Sequence, residues 1–174
     1  FIPIAETMGM MPEVGKWVVN DACRQAREWL DRGHRNFVIA INVSAQELQR
    51  PNLTDVVSGA LNRYNIPARL LGIEITESSL MENIDRVRAT LSELKRMDVR
   101  LSLDDFGTGY SSLAYLKQFP IDTLKIDQRF VRGLPHSDED AAIARTIVVM
   151  AHQLRMQVSA EGVETEEQAE FLCN

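Results

Sequence analysis

No apolar run in this chain approaches the roughly 20 residues that a membrane-spanning helix needs, and no basic-then-apolar leader opens it. As a sequence it reads as soluble. Cysteine is scarce: Cys23 sits in a helical pattern, Cys173 lies at the very end, and neither has metal-ligand spacing around it. That excludes a disulfide framework and a zinc-finger site, and points to a reducing compartment. Histidine is equally thin, with His34, His136 and His152 scattered enough to read as surface or packing residues. Basic residues are outnumbered, 19 Lys and Arg against 25 Asp and Glu, for a formal charge of −6 and a pI near 5.1. A DNA or RNA polymer is therefore a poor partner, although a small anionic ligand held locally through metal ions is not excluded. Low-complexity segments and linkers are absent too, so 174 residues with 45% hydrophobic content read as one domain with one sizeable core.

What is present is a run of alternating strand and helix patterns. Phe1 to Glu6 resembles the approach to a short helix, with Pro3 tolerated in a first turn. Val14, Trp17, Val18, Ala22, Ala26, Trp29 and Leu30 then recur at three- and four-residue spacing, predicting a long amphipathic helix that stops near Gly33. Phe37 to Val43 is continuously apolar apart from Asn42, the pattern of a parallel strand buried on both faces. Ser44 to Glu47 matches a capping box ahead of a stripe from Leu53 to Tyr64. Leu70 to Thr76 predicts a strand carrying Glu74, followed closely by Glu77, and Ile84 to Met97 a helix. Leu124 and Ile126 mark a short strand with Lys125 among its polar positions. Ser137 opens a helix with Ile143, Ile147, Met150 and Leu154, and Val158 and Ala160 mark a fifth strand before Glu161. Thr165 to Gln168 is a second capping box.

The most informative stretch is Leu101 to Ser112. Val99, Leu101 and Leu103 alternate with polar residues, so Asp104 falls on the polar side of a strand, and Asp105 follows at its end. Gly107 and Gly109 then punctuate a loop, and Ser111 or Ser112 is placed to cap a helix suggested by Leu113 and Leu116. Asn42, Glu74, Asp104 with Asp105, Lys125 and Glu161 each fall at or near the C-terminal end of a different strand. In (β/α) barrels that end carries the active site.

Four carboxylates brought together repel by about 4 kcal/mol per pair at about 4 Å in an intermediate dielectric, so positive charge must sit among them. Lys125 supplies one unit, and an all-oxygen donor set of acids plus one amide suits hard ions such as Mg²⁺ or Mn²⁺. Adjacent Asp104 and Asp105 favour two ions over one. Such a pair activates water for in-line attack on a phosphodiester, with Lys125 holding that water or offsetting phosphoryl charge.

At these residues the chain resembles the EAL family of cyclic di-GMP phosphodiesterases. The matching motifs are FIPIAE (1–6), INVS (41–44), EITE (74–77), DDFGTGYSSL (104–113), LKID (124–127) and AEGVET (160–165). The resemblance implies a modified TIM-type (β/α)8 barrel, about five strands of it within this chain, that cuts cyclic di-GMP to the linear dinucleotide pGpG with two Mg²⁺ or Mn²⁺ ions. It implies Asn42, Glu74 and Asp104 as ligands of one metal, and Asp104, Asp105 and Glu161 as ligands of the second. Lys125 matches the residue that positions the attacking water, so Lys125, Glu161 and Asp105 form the catalytic set. Glu77 resembles the glutamate that steadies the glycine loop, here Phe106, Gly107, Thr108 and Gly109, and that loop is associated with homodimerisation and with coupling to partner domains. Asp127 and Glu164 are expected to support the ligands from behind.

The resemblance also implies a bacterial signalling protein with a fused sensory or GGDEF domain, the present domain on the cytoplasmic side of any inner-membrane anchor. The namesake Glu-Ala-Leu glutamate is expected upstream of Phe1 and a terminal Gln-Gly motif beyond Asn174, so residues 1–174 read as one domain incomplete at both ends. A catalytically inactive, cyclic di-GMP-binding domain is the alternative, and a different metal-dependent barrel such as a lyase or racemase is a weaker one.

Overall fold

The computed structural model describes residues 9–107 and 116–173. The helix suggested at Phe1 to Glu6, Thr108, Gly109, the Ser111 or Ser112 cap and Leu113 lie outside the described residues. The elements run α1 (Met11–Asp31), β1 (Ile39–Asn42), α2 (Ala45–Leu48), α3 (Leu53–Tyr64), β2 (Leu71–Thr76), α4 (Glu77–Met81), α5 (Ile84–Arg96) and β3 (Arg100–Phe106). Then come β4 (Thr123–Ile126), α6 (Gln128–Val131), α7 (Asp138–Gln153), β5 (Gln157–Ala160) and α8 (Glu166–Cys173).

Among the described residues the five strands are all parallel, and their order in the sheet is their order in the chain. A doubly wound sheet reverses direction at a switch point, whereas an order that advances one strand at a time is that of a barrel wall. The architecture is thus a five-strand arc of a TIM-type barrel. Ile41, Ile73, Leu101, Leu103, Leu124 and Ile126 face one side and pack with Cys23, Ala26, Val57, Val87 and Leu91 of the helices. Positions between them, Ala40, Asn42, Glu74, Ser102, Asp104 and Lys125, form an open face of small and polar groups. The register sets Asn42 beside Glu74, and Glu74 beside Ser102.

Two sequence expectations change. β1 is buried on one face only, because Ala40 and Asn42 are on the open face and exposed, and Val38 just ahead of the strand is also exposed. A continuous apolar run does not distinguish small residues lining an open face from residues packed under helices. The Ser44 capping box starts the one-turn α2, not the long stripe, which begins separately at Leu53 after Pro51 interrupts the helix. Short helices α4 and α6, directly after β2 and β4, carried no periodic signal.

Both thiols are free, Cys23 buried and Cys173 exposed. Burial pushes the Cys23 thiol up to about 11, leaving it an unreactive packing group. All three histidines are exposed. Among the described residues no helix is long and apolar enough to cross a membrane.

Ile73 is fully buried in the central strand, whereas Trp17 on α1 is 66% exposed. Ile73→Ala should lower unfolding free energy by about 2–5 kcal/mol, and Trp17→Ala by under about 0.5 kcal/mol. Urea titration of the two variants measures both, and equal losses would show that the described arc is not the stabilising core.

Candidate active site

Lys125 organises the open face. Its ammonium lies 3.0 Å from Glu74 Oε2 and 3.4 Å from Asp104 Oδ2, and it also pairs with Glu161 Oε1. Three strands and the residue after a fourth therefore direct charged groups at one point. The lysine side chain is only 13% exposed. Burial disfavours its charge, but hydrogen bonds to Glu161 and Glu74 and the charges of Glu74 and Asp104 outweigh that, holding its pKa well above the ordinary lysine value. It is a fixed cation at any physiological pH.

Strict alternation along β3 would turn Asp104 and Asp105 to opposite faces. The structure avoids this with a bulge: Leu103 pairs with Leu124 and Phe106 with Ile126, so two aspartates on β3 stand against the single Lys125 on β4. Asp105 takes the left-handed region at φ 55°, which Asp tolerates better than most residues, and its N–H donates to Asp104 Oδ1 at 3.0 Å. Both carboxylates thus reach the same neighbourhood. Phe106 then resumes pairing as a buried core residue.

Asp105 shares a side-chain hydrogen bond with Asp127. Burial, reinforced by the charges of Asp104, Asp127 and Glu161, holds Asp105 above the usual carboxylate range. Burial acts on Asp127 in the same direction, yet Arg129 more than offsets it and holds Asp127 low. Asp127 Oδ1 accepts from the Arg129 backbone N–H at 2.7 Å and from its Nε at 3.2 Å, capping α6. Arg129 is a residue that sequence reasoning missed. An Asp two residues before an Arg at a helix start was the available signal.

Glu77 is buried, and its Oε2 accepts from the Gly107 N–H at 3.1 Å. Gly107 itself sits at φ +96°, and a Cβ there would lie 2.9 Å from Cε2 of Phe130 on α6. The start of the loop is thus clamped from two sides. Glu161 follows β5 and donates its N–H to the Ile126 carbonyl at 3.1 Å. Beyond it, buried Gln168 accepts from the N–H groups of Glu164 at 2.8 Å and Thr165 at 3.1 Å, while Glu164 itself is exposed. The structure brings Glu74, Asp104, Lys125 and Glu161 into contact and sets Asp105 on Asp127. Asn42 neighbours Glu74 by register, and Glu164 stands outside the cluster.

Among the described residues no three His, Cys, Asp or Glu side chains are grouped to hold an ion unaided; the cation at the centre is the ammonium. A cleft of about 660 Å³ between α1 and the β1 edge takes in Asn42 and Glu74 at one end, with Met11, Val14 and Val18 along its apolar wall. Of the carboxylate cluster Glu74 lines this cleft, whereas Asp104, Lys125 and Glu161 stand beside it.

The EAL domain family model matches residues 1–174. The chain is 46% identical over 178 residues to the bifunctional diguanylate cyclase/cyclic di-GMP phosphodiesterase MucR of Pseudomonas aeruginosa, covering 100% of this chain and 26% of that protein. It is 45% identical to the cyclic di-GMP phosphodiesterase NbdA of the same organism, covering 99% and 22%. It therefore spans about a quarter of the length of these curated relatives. Among solved structures, a PaMucR phosphodiesterase in complex with c-di-GMP superposes with a TM-score of 0.94 at 46% identity, over 99% of this chain and 70% of that one.

Two measurements follow from the geometry. Because Asp105 is held above its unfolded value of 3.8, its ionisation disfavours the fold as pH rises through that range, and the cost is complete above the folded pKa. In chelator-treated protein, Asp105→Asn should raise Tm at neutral pH, the gain disappearing toward about pH 3, where both states are protonated. A lower Tm for the variant at neutral pH would contradict this. Gly107→Ala should cost about 1–3 kcal/mol through its backbone conformation and the Phe130 contact. The loss should shrink in a Phe130→Leu background, and strictly additive losses in a double-mutant cycle would show that the contact is irrelevant.

Proposed function

Because the chain belongs to the EAL domain family, we propose that it forms part of a phosphodiesterase that hydrolyses cyclic di-GMP to the linear dinucleotide pGpG in bacterial second-messenger signalling. The observation that carries this reading is the convergence of Glu74, Asp104 and Glu161 on Lys125, with Asp105 turned toward the same region by the bulge. The naming of MucR and NbdA as cyclic di-GMP phosphodiesterases supports the substrate.

The donor chemistry fits hard divalent cations, since Asn42, Glu74, Asp104, Asp105 and Glu161 offer only oxygen and three of them already gather around one positive charge. We assign Asn42, Glu74 and Asp104 to one Mg²⁺ or Mn²⁺, and Asp104, Asp105 and Glu161 to a second. Bound there, such ions supply Lewis acidity and lower the pKa of water.

The chain's own residues do the rest. Lys125, permanently charged, holds the attacking water and offsets charge developing on the phosphoryl oxygens. Water oxygen bonds to phosphorus as one ring phosphodiester bond breaks, and the departing ribose oxygen takes a proton. Asp127, itself anchored by Arg129, stands against Asp105, and Glu77 fixes the first turn of the loop that follows. Homodimerisation and a fused sensory or GGDEF domain belong to the same proposal, the latter supported by the bifunctional name of MucR.

The test is conversion of cyclic di-GMP to the linear dinucleotide, resolved chromatographically, by the protein that carries this chain with Mg²⁺ or Mn²⁺ supplied. Glu74→Gln, Asp104→Asn and Lys125→Met should each lower turnover by about 100-fold or more. Undiminished cleavage by the Asp104 variant would remove the metal assignment. Absence of any cleavage by the unsubstituted protein, with cyclic di-GMP still bound, would replace hydrolysis by binding alone.

A further inference from the structure

The opposite ends of the same strands carry a second, oppositely charged site. At the N-terminal ends of β2 to β5 lies a recess of about 430 Å³ whose charged lining is Arg69, Lys95, Asp98, Arg100, Asp122 and Arg155. Four basic residues meet two acidic ones there, in a chain whose overall charge is −6.

Asp122 is already committed: Lys95 Nζ pairs with its Oδ1, and its Oδ2 accepts from the Leu101 N–H at 2.9 Å. Setting that pair aside leaves three guanidiniums against the single carboxylate of Asp98. Among the described residues Arg69, Arg100 and Arg155 have no ion-pair partner. Arg100 is held over the recess by a hydrogen bond from its Nε to the Arg69 carbonyl at 3.3 Å, which leaves both terminal nitrogens of its fork available.

Helix C-termini also meet this end of the arc, and their carbonyl dipoles favour cations. That accounts for Lys95 in the last turn of α5 and for Arg155 just after α7. Arg69 lies in the single 3-10 turn Ala68–Leu70, too short to carry much dipole, and Arg100 opens a strand, so helix ends do not account for both. Convergent guanidiniums at a concave, polar surface match the oxygens of a phosphate group, and a recess of one sign concentrates its counter-ion.

We propose that this recess binds a small phosphate-bearing anion, at a site separate from the carboxylate cluster. Arg100 and Asp104 lie four residues apart on β3, about 13 Å along the strand. Occupation of the recess therefore needs neither the metals nor the cyclic dinucleotide of the candidate active site.

The experiment is isothermal titration of pyrophosphate and, in parallel, guanosine diphosphate into chelator-treated full chain at constant ionic strength. Chelation removes anion binding through metals at the acidic end. Saturable binding at roughly millimolar Kd or tighter is expected, weakened about tenfold or more by Arg100→Ala and by Arg155→Ala. Both residues are exposed, and thermal melts check that each variant is folded. In unsubstituted protein, the side-chain N–H resonances of Arg69, Arg100 and Arg155 should shift together on titration. Equal affinity for the two probes identifies phosphate itself as what is read, and tighter guanosine diphosphate binding identifies a nucleotide; both support the site. No saturable binding, or binding that survives both substitutions without shifts at these arginines, would overturn it.

Discussion

Charge crowding around one ammonium is the constraint from which the rest of this structure follows. Glu74, Asp104 and Glu161 come from different strands of a sheet, and their mutual repulsion, about 4 kcal/mol per pair at about 4 Å in an intermediate dielectric, opposes the closeness that the fold imposes. Lys125 answers this by standing between them, on the strand flanked by those carrying Asp104 and leading to Glu161. Its raised pKa is the thermodynamic counterpart of that position: the carboxylates hold the proton on the lysine as firmly as the lysine holds the carboxylates in place.

The sheet tolerates such a cluster because its two faces are assigned to different tasks. Leu101, Leu103, Leu124 and Ile126 pack beneath helices with essentially no exposed surface, so cohesion does not depend on the open face. Parallel strands separated by helices also give the two ends of the arc different chemistry. Carboxylates gather where the strands finish, and arginines gather where they begin. A chain with net negative charge thereby keeps a positive region, and the field along the strands runs from one end of the wall to the other.

Much of this was legible in the residues. A continuous apolar run located β1, alternation located β2 to β5 and 3.6-residue stripes the long helices, because such patterns report which side is buried. They also placed Glu74, Asp104, Lys125 and Glu161 near strand ends. The one-sided burial of β1 was not legible, since Ala40 is apolar enough to extend a run without packing under anything. Arg129 was readable only from an Asp two residues before an Arg at a helix start, a weak signal, although through Asp127 it bears on Asp105. Nor does sequence reveal a site such as the arginine recess, whose members come from four separate connections and share no motif.

The bulge in β3 sets local regularity against chemistry. One residue fewer between Leu103 and Phe106 would let the β3–β4 ladder run without interruption, remove a left-handed aspartate, and make a more uniform sheet. It would also remove one of the two aspartates that the register sets against Lys125. Any process that rewards stability alone, whether laboratory selection or sequence design on an idealised backbone, would tend to erase this irregularity first. The extra residue is where the sheet carries information that its hydrogen bonding does not require.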